Sequence, residues 1–343
     1  MVMDEYNPFA RGEFPVGVRT IQAFDEARER LFPCEIWYPA AAQRGTYPLI
    51  VFSHSSGAGR RQSTFLCTHL SSHGYVVAAL DHSEVVAPEL ARRDGETGAQ
   101  KKDRTDAWIT NRVPDIRFLL DHMLDGPAWD SEIKLDRTRV GIVGHSFGGW
   151  TALAAPDVES RIRAVVALAP AGSSRAKPGI LRVQLPFRWG RDVPTLYLVA
   201  ENDISLPLAG MYELFDRTPA TKQMVVLRRA DHLHFMDNVE QQHEAVRAMT
   251  FTGELAWIQE EMRPISELCS GEQAHLFVRG LALCHLDAVF RGREPARRFL
   301  DGDVEGELAA RGVDVIVHKP TATDSQARSG QNPNPALQSP AKY

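Results

Sequence analysis

Val140-Gly141-Ile142-Val143-Gly144-His145-Ser146-Phe147-Gly148-Gly149 runs from a short apolar strand, through G-x-S-x-G, into a helical pattern. A bare G-x-S-x-G also arises by chance, as a glycine-rich turn holding an idle serine. The strand before it, the histidine preceding Ser146 and the double glycine after it favour a nucleophile elbow. In that turn the serine occupies a strained backbone conformation between strand and helix. A side chain at position 144 or 148 would strike the neighbouring strand or helix, and glycine removes the collision. The turn lifts the Ser146 hydroxyl to the carboxyl end of the sheet, where open α/β sheets place their ligands. The helix that follows points its amino-terminal dipole at the same spot.

Outward from the elbow, short apolar runs alternate with helical patterns. Leu49–Phe52, Val76–Leu80, Val140–Val143, Ala164–Leu168, Thr195–Val199 and Met224–Leu227 read as strands buried on both faces. Helices are expected at Gln62–His73, Asp106–Leu124, Phe147–Ala155 and Leu208–Phe215. Two further strands, around Ile21 and Cys34–Tyr38, precede them. This alternation predicts an α/β-hydrolase fold: a mostly parallel central sheet, helices on both faces and extra C-terminal helices. One domain is expected over residues 1–318. Within it, about 84–105 and 171–192 look like insertions, read equally as active-site walls or as surface decoration. The C-terminal helical part spans about 238–318, with helices at Val239–Met262, Gln273–Phe290 and Pro295–Leu300 and a last strand at Val313–Val317. Residues 319–343 are rich in Pro, Ser, Asn, Gln and Ala and read as a disordered tail.

Composition narrows the function. The 343 residues are 43% hydrophobic and 24% charged, with a net charge of −5. That is a globular balance with no basic surplus for nucleic acid. The pairs Arg60-Arg61 and Lys101-Lys102 read as solvated surface. No apolar run reaches the length of a membrane span, and the polar N-terminus lacks a secretory signal pattern. The four cysteines show no C-x-x-C spacing, and Cys67 and Cys284 fall within apolar patterns. A reduced, cytoplasmic protein is the expectation. Nothing in the sequence speaks to oligomeric state.

A serine hydroxyl needs a base, and the base needs an orienting carboxylate. In this fold they follow in the order Ser, Asp or Glu, His. After Met224–Leu227 comes Arg228-Arg229-Ala230-Asp231-His232-Leu233-His234-Phe235. His232 is preferred to His234 because it follows the strand sooner. The Asp-His-x-His spacing also suits metal ligands, but no third ligand cluster accompanies it, so no metal is expected. After Thr195–Val199, Asp203 is the candidate acid and Glu201 the reserve. Its alternative role is to form a turn. The oxyanion hole takes two backbone N–H groups, assigned to Phe147 and, in the loop Ser53-His54-Ser55-Ser56-Gly57-Ala58-Gly59, to Ser56. His54 reads first as a partner within that loop. It also joins Ser55, His145, Trp150 and His234 as a candidate substrate contact. The aromatics Phe65, Phe187, Trp189 and Phe235 stand near site elements, either lining a pocket or packing the core.

Pro48–His54, the run Leu70–His82 and Gly144–Gly149 together resemble platelet-activating factor acetylhydrolases and dienelactone-hydrolase-like serine esterases. Glu35-Ile36-Trp37-Tyr38-Pro39 is also similar to these relatives, and polyester-degrading cutinases are more distant cousins. The resemblance covers roughly residues 15–240. It implies a cofactor-independent Ser–His–Asp esterase acting on small to medium carboxylic esters through an acyl-enzyme. Three departures qualify it. Ser55 stands where relatives usually carry Gly. Ala169-Pro170 occupies the place where acetylhydrolases close to the mammalian one carry their acid, which leaves Asp203 to serve. The nucleophile is Ser, where dienelactone hydrolases proper use Cys. The same triad also suits acyl transfer or cleavage of amides, thioesters or carbonates. A non-catalytic binding protein on this fold is a further alternative.

Overall fold

The computed structural model describes residues 6–40, 45–127, 129–130 and 132–319. Among the described residues, nine strands form a single sheet: β1 (Val16–Asp25), β2 (Arg30–Pro39), β3 (Thr46–Ser53), β4 (Val76–Leu80), β5 (Lys134–His145), β6 (Ile162–Leu168), β7 (Thr195–Ala200), β8 (Lys222–Leu227) and β9 (Val315–His318). Their spatial order is β1-β2-β4-β3-β5-β6-β7-β8-β9. The six strands from β4 to β8 run parallel. The hairpin β1–β2 joins one side and β9 the other, both antiparallel. The fold is the expected α/β-hydrolase fold.

The central strands alternate between two cores. Leu49 and Val51 of β3 face one, Ile50 and Phe52 the other; Tyr197 and Val199 of β7 oppose Leu196, Leu198 and Ala200. With both faces apolar, the strands must be covered on both sides. One core is closed by α3 (Gly98–Asp125), α4 (Phe147–Ala154) and α5 (Leu208–Arg217). The other is closed by α1 (Thr64–Ser72), α8 (Gly271–Phe290), α9 (Glu294–Asp301) and α10 (Val304–Ala309). α8 is not an appendage. Phe277, Val278 and Leu281–Cys284 are fully buried within the second core.

Two expected stretches differ. Glu84–Arg104 is largely helical, with α2 (Ser83–Val86), a short 3-10 turn at Pro88–Leu90 and the first turns of α3. Thr97 and Gln100 form a capping box that starts α3 at Gly98, eight residues before the apolar periodicity begins. Val239–Met262 is broken into α6 (Val239–Arg247) and α7 (Trp257–Glu261). Between them Gly253 takes a φ of +61°, which no helix continues through. The expected tail, apart from Lys319, lies outside the described residues. Among the described residues, no helix is long and apolar enough to cross a membrane.

Asp287 of α8 ties distant parts of the chain together. Its fully buried carboxylate accepts from Tyr75 Oη at 2.7 Å, Tyr6 Oη at 3.1 Å and Arg291 Nη1 at 2.9 Å. Asp287→Ala strands two tyrosine hydroxyls and an arginine beneath the second core. Urea denaturation is expected to show a loss of about 3–5 kcal/mol, the usual cost of breaking a buried charged network. A loss under ~1 kcal/mol would show that the carboxylate does not hold these segments.

Candidate active site

β5 ends at His145 and α4 begins at Phe147, leaving Ser146 alone in the turn with φ +59° and ψ −116°. A non-glycine residue there is strained and persists only when its surroundings hold it. Ser146 N–H donates to the Leu168 carbonyl at 2.9 Å. Its own carbonyl accepts from Trp150 N and Ala171 N, both at 3.0 Å. The glycines answer to close backbone contacts. A Cβ on Gly144 would lie 2.0 Å from the Gly148 carbonyl oxygen, and one on Gly148 would lie 2.0 Å from that of Ser53.

Three side chains meet at this turn. His232 Nε2 is 2.8 Å from Ser146 Oγ, and His232 Nδ1 is 2.6 Å from Asp203 Oδ2. Asp203 Oδ1 also accepts from the N–H groups of Ser205 and Leu206, which fixes the carboxylate. Burial works against a charged His232, but the Asp203 charge and hydrogen bond outweigh it and raise its pKa above the ordinary imidazole value. Asp203 follows β7 and His232 follows β8, so successive strand ends deliver both groups.

A second Ser–His–Asp line-up lies close by. His82 Nε2 is 2.8 Å from Ser53 Oγ, and His82 Nδ1 is 3.1 Å from Asp115 Oδ2. Distances alone do not separate the two sets. Access does: Ser53, His82 and Asp115 are fully buried, and none lines a cavity that holds Ser146. Asp115 is further occupied by Ser83 and by Arg28 at 2.6 Å. Burial, then the Arg112 and Arg28 charges, push the His82 pKa down. This network fastens β3, β4 and α3 beneath the site.

The loop after β3 is held from below. The fully buried Arg112 of α3 donates to the His54 carbonyl at 2.6 Å and the Ser55 carbonyl at 3.3 Å, and it pairs with Glu84. Its guanidinium lies 4.2 Å from the centre of the Phe147 ring. Gln62 links the loop to the elbow, accepting from Ser55 N at 2.6 Å and bonding His145 Nδ1. Neither Arg112 nor Gln62 emerges from the sequence reading. Arg112 leaves a trace there, as a cation on the buried α3 face between Trp108 and Ile116; Gln62 leaves none.

Ser56 and Phe147, the two expected oxyanion donors, line one cavity of about 650 Å³ with Ser146 and His232. Phe147 opens α4, so its N–H has no carbonyl one turn earlier to bond. The two stretches read as insertions supply much of the wall, through Arg92, Lys101 and Arg104 and through Pro178–Arg182, joined by Glu254, Leu255 and Ile258. Five candidate substrate contacts do not reach this cavity. His54 is fully buried, with Nδ1 on the Ser55 carbonyl and Nε2 accepting from His82 N. Ser55 is buried, its backbone N–H donating to Gln62 and its carbonyl accepting from Arg112. His145 is fully buried between His232 and Phe235, and burial and the His232 charge hold it neutral. Trp150 donates to the Gln184 carbonyl at 2.8 Å, anchoring the 171–192 stretch. His234 is fully buried on Asp231 at 2.8 Å and the Cys269 carbonyl at 3.0 Å. Burial opposes its charge, yet the Asp231 bond raises it to about 10. Among the described residues, no group of three His, Cys, Asp or Glu side chains is placed to hold a metal.

Residues 5–184, just over half of the chain, match the chlorophyllase family. The chain belongs to the chlorophyllase family. Within the curated proteins it is similar to the platelet-activating factor acetylhydrolase of Cavia porcellus, 26% identical over 227 residues, covering 56% of this chain and 48% of that protein. It is also similar to cutinase est1 of Thermobifida alba, 22% identical over 242 residues and covering 70% of each. The chain spans about half the length of the Cavia porcellus acetylhydrolase. A solved ferulic acid esterase from Streptomyces cinnamoneus shares the fold, with a TM-score of 0.64 and 23% identity, covering 90% of this chain and 98% of that one. Acetylhydrolases and cutinases, the relatives expected from the sequence, are both found.

Gly148→Ala tests the elbow. The added methyl meets backbone rather than a flexible side chain, so the turn must open. A loss of about 1–3 kcal/mol in urea denaturation is expected. Stability equal to that of the parent would contradict the close approach.

Proposed function

We propose that the protein is a serine carboxylic ester hydrolase working through an acyl-enzyme on small to medium esters. The observation that carries this reading is the continuous line Ser146 Oγ–His232–Asp203, at 2.8 and 2.6 Å, opening onto a cavity. His232 Nε2 takes the Ser146 proton as Oγ attacks the ester carbonyl. The N–H groups of Phe147 and Ser56 receive the oxyanion. His232 then protonates the departing alkoxide, and water, activated by the same imidazole, releases the acid. Asp203 holds the imidazole in the tautomer with the Nδ1 proton and stabilises its charged form. The esterase relatives support an acyl-transfer chemistry of this kind. We place the protein in the cytoplasm, a reading supported by its four cysteines, all free buried thiols.

Ser146→Ala is expected to lower kcat on p-nitrophenyl acetate by about 10⁴–10⁶-fold. A variant retaining near-parental turnover would overturn the assignment. The pH profile supplies an independent check. His232 must be neutral to accept the proton, so kcat/KM falls as pH drops through its raised pKa. The acidic limb therefore lies above the ordinary imidazole value of about 6.5. Asp203→Asn removes the main charge that raises it, leaving burial opposed only by the Asp231 charge. The limb should move to lower pH while the plateau falls by about 10⁴-fold. A limb that stays in place would show that Asp203 does not act on His232.

A further inference from the structure

Resting on the ester-hydrolase reading, we propose that the substrate is an apolar ester with an anionic group (carboxylate, phosphate or sulfate) remote from the scissile bond. Arg92 and Arg182 receive that group. The chain as a whole is acidic, at −5. Its catalytic cavity is not: Arg92, Lys101, Arg104 and Arg182 line it against one carboxylate, Glu254.

Pairing decides which of these cations are available. Arg104 is forked onto Glu96, with Nε–Oε1 at 2.8 Å and Nη2–Oε2 at 2.7 Å. Lys101 Nζ lies 3.5 Å from Glu254. Among the described residues, Arg92 and Arg182 have no carboxylate within ion-pair distance. Two positive charges are thus left uncompensated in the cavity wall. Arg92 is steadied by the Trp108 ring, 5.5 Å from its guanidinium to the ring centre. Arg182 follows Ile180 and Leu181, which line the same cavity.

Apolar side chains form much of the remaining wall, with Trp108, Phe147, Leu206, Leu255 and Ile258 beside the hydroxyls of Ser56, Thr105 and Ser205. A concave apolar wall concentrates the field of the charges set in it. An ester with an apolar body and an anionic end satisfies both features. A neutral ester leaves the arginines without a partner, and a cationic one is repelled. Both arginines come from the long connections between core elements, where residues change without disturbing the sheet.

The test compares matched p-nitrophenyl esters of one acyl length, ending in a carboxylate, a phosphate or a neutral carboxamide. A second set carries the same three ends on the alcohol side, with release of the acid followed by titration. Exposed charge pairs are individually weak, so the two arginines together are expected to lower KM by about three- to tenfold for an anionic member. The advantage should appear in at least one set, shrink with added NaCl, and vanish in Arg92→Gln/Arg182→Gln. The exposed Arg93, which does not line the cavity, serves as control, and Arg93→Gln should keep the advantage. Carboxylate against phosphate identifies the anion. Equal KM for anionic and neutral members in both sets, or an advantage surviving in the double variant, overturns the proposal alone. Absence of turnover for every member overturns the ester-hydrolase reading beneath it.

Discussion

Two positions without side chains, Gly144 and Gly148, let the strand leading to Ser146 and the helix following it come into backbone contact. That contact fixes everything near Ser146. It holds the residue at positive φ and seats the start of α4 against the end of β3. Phe147 N–H and the loop after β3 are thereby brought to the same locus as the serine hydroxyl. The strain at Ser146 is balanced by a sheet packed on both faces, whose strand ends β7 and β8 set Asp203 and His232 within hydrogen-bonding distance of one another.

Beneath this surface lies a second layer, built from buried charge. Arg112 pairs with Glu84 and grips the carbonyls of His54 and Ser55; Asp115 gathers His82, Ser83 and Arg28. Unpaired, either charge would be costly there. Fully bonded, they fix a loop that would otherwise be a free Gly/Ser turn. The histidines show how environment sorts one side chain into several roles. His54, His82 and His145 are driven towards the neutral form by burial, with nearby positive charges adding to it. His232 and His234 each have a carboxylate that reverses the effect of burial. Of the five, His232 alone lines the cavity with Ser146.

The local grammar of this chain is strong where backbone constraints are strong. The apolar runs marked the six parallel strands, and G-x-S-x-G marked the elbow, because glycine and β-period patterns reflect local sterics. The line-up of Asp203 and His232 with Ser146 was legible through the fixed order of strand ends. His54, Ser55, His145, Trp150 and His234 do not line the cavity with Ser146 for one reason: proximity in sequence to Ser146 or to a loop does not report which way a side chain turns. Gln62 lies 83 residues from its His145 partner, a separation over which no motif operates. The start of α3 at Gly98 was hidden because its first turns are polar, and only the capping pair Thr97/Gln100 marks it.

Two serines, Ser146 and Ser53, stand in nearly the same geometry with histidine and aspartate, and access to the cavity is what separates them in the proposed reading. Labelling with a fluorophosphonate, followed by peptide mapping, addresses this directly. The expected result is one adduct per chain, on the peptide containing Ser146, with none on Ser53 and none at all in His232→Ala on the same timescale. An adduct on Ser53, or no adduct on the intact protein, would contradict the account.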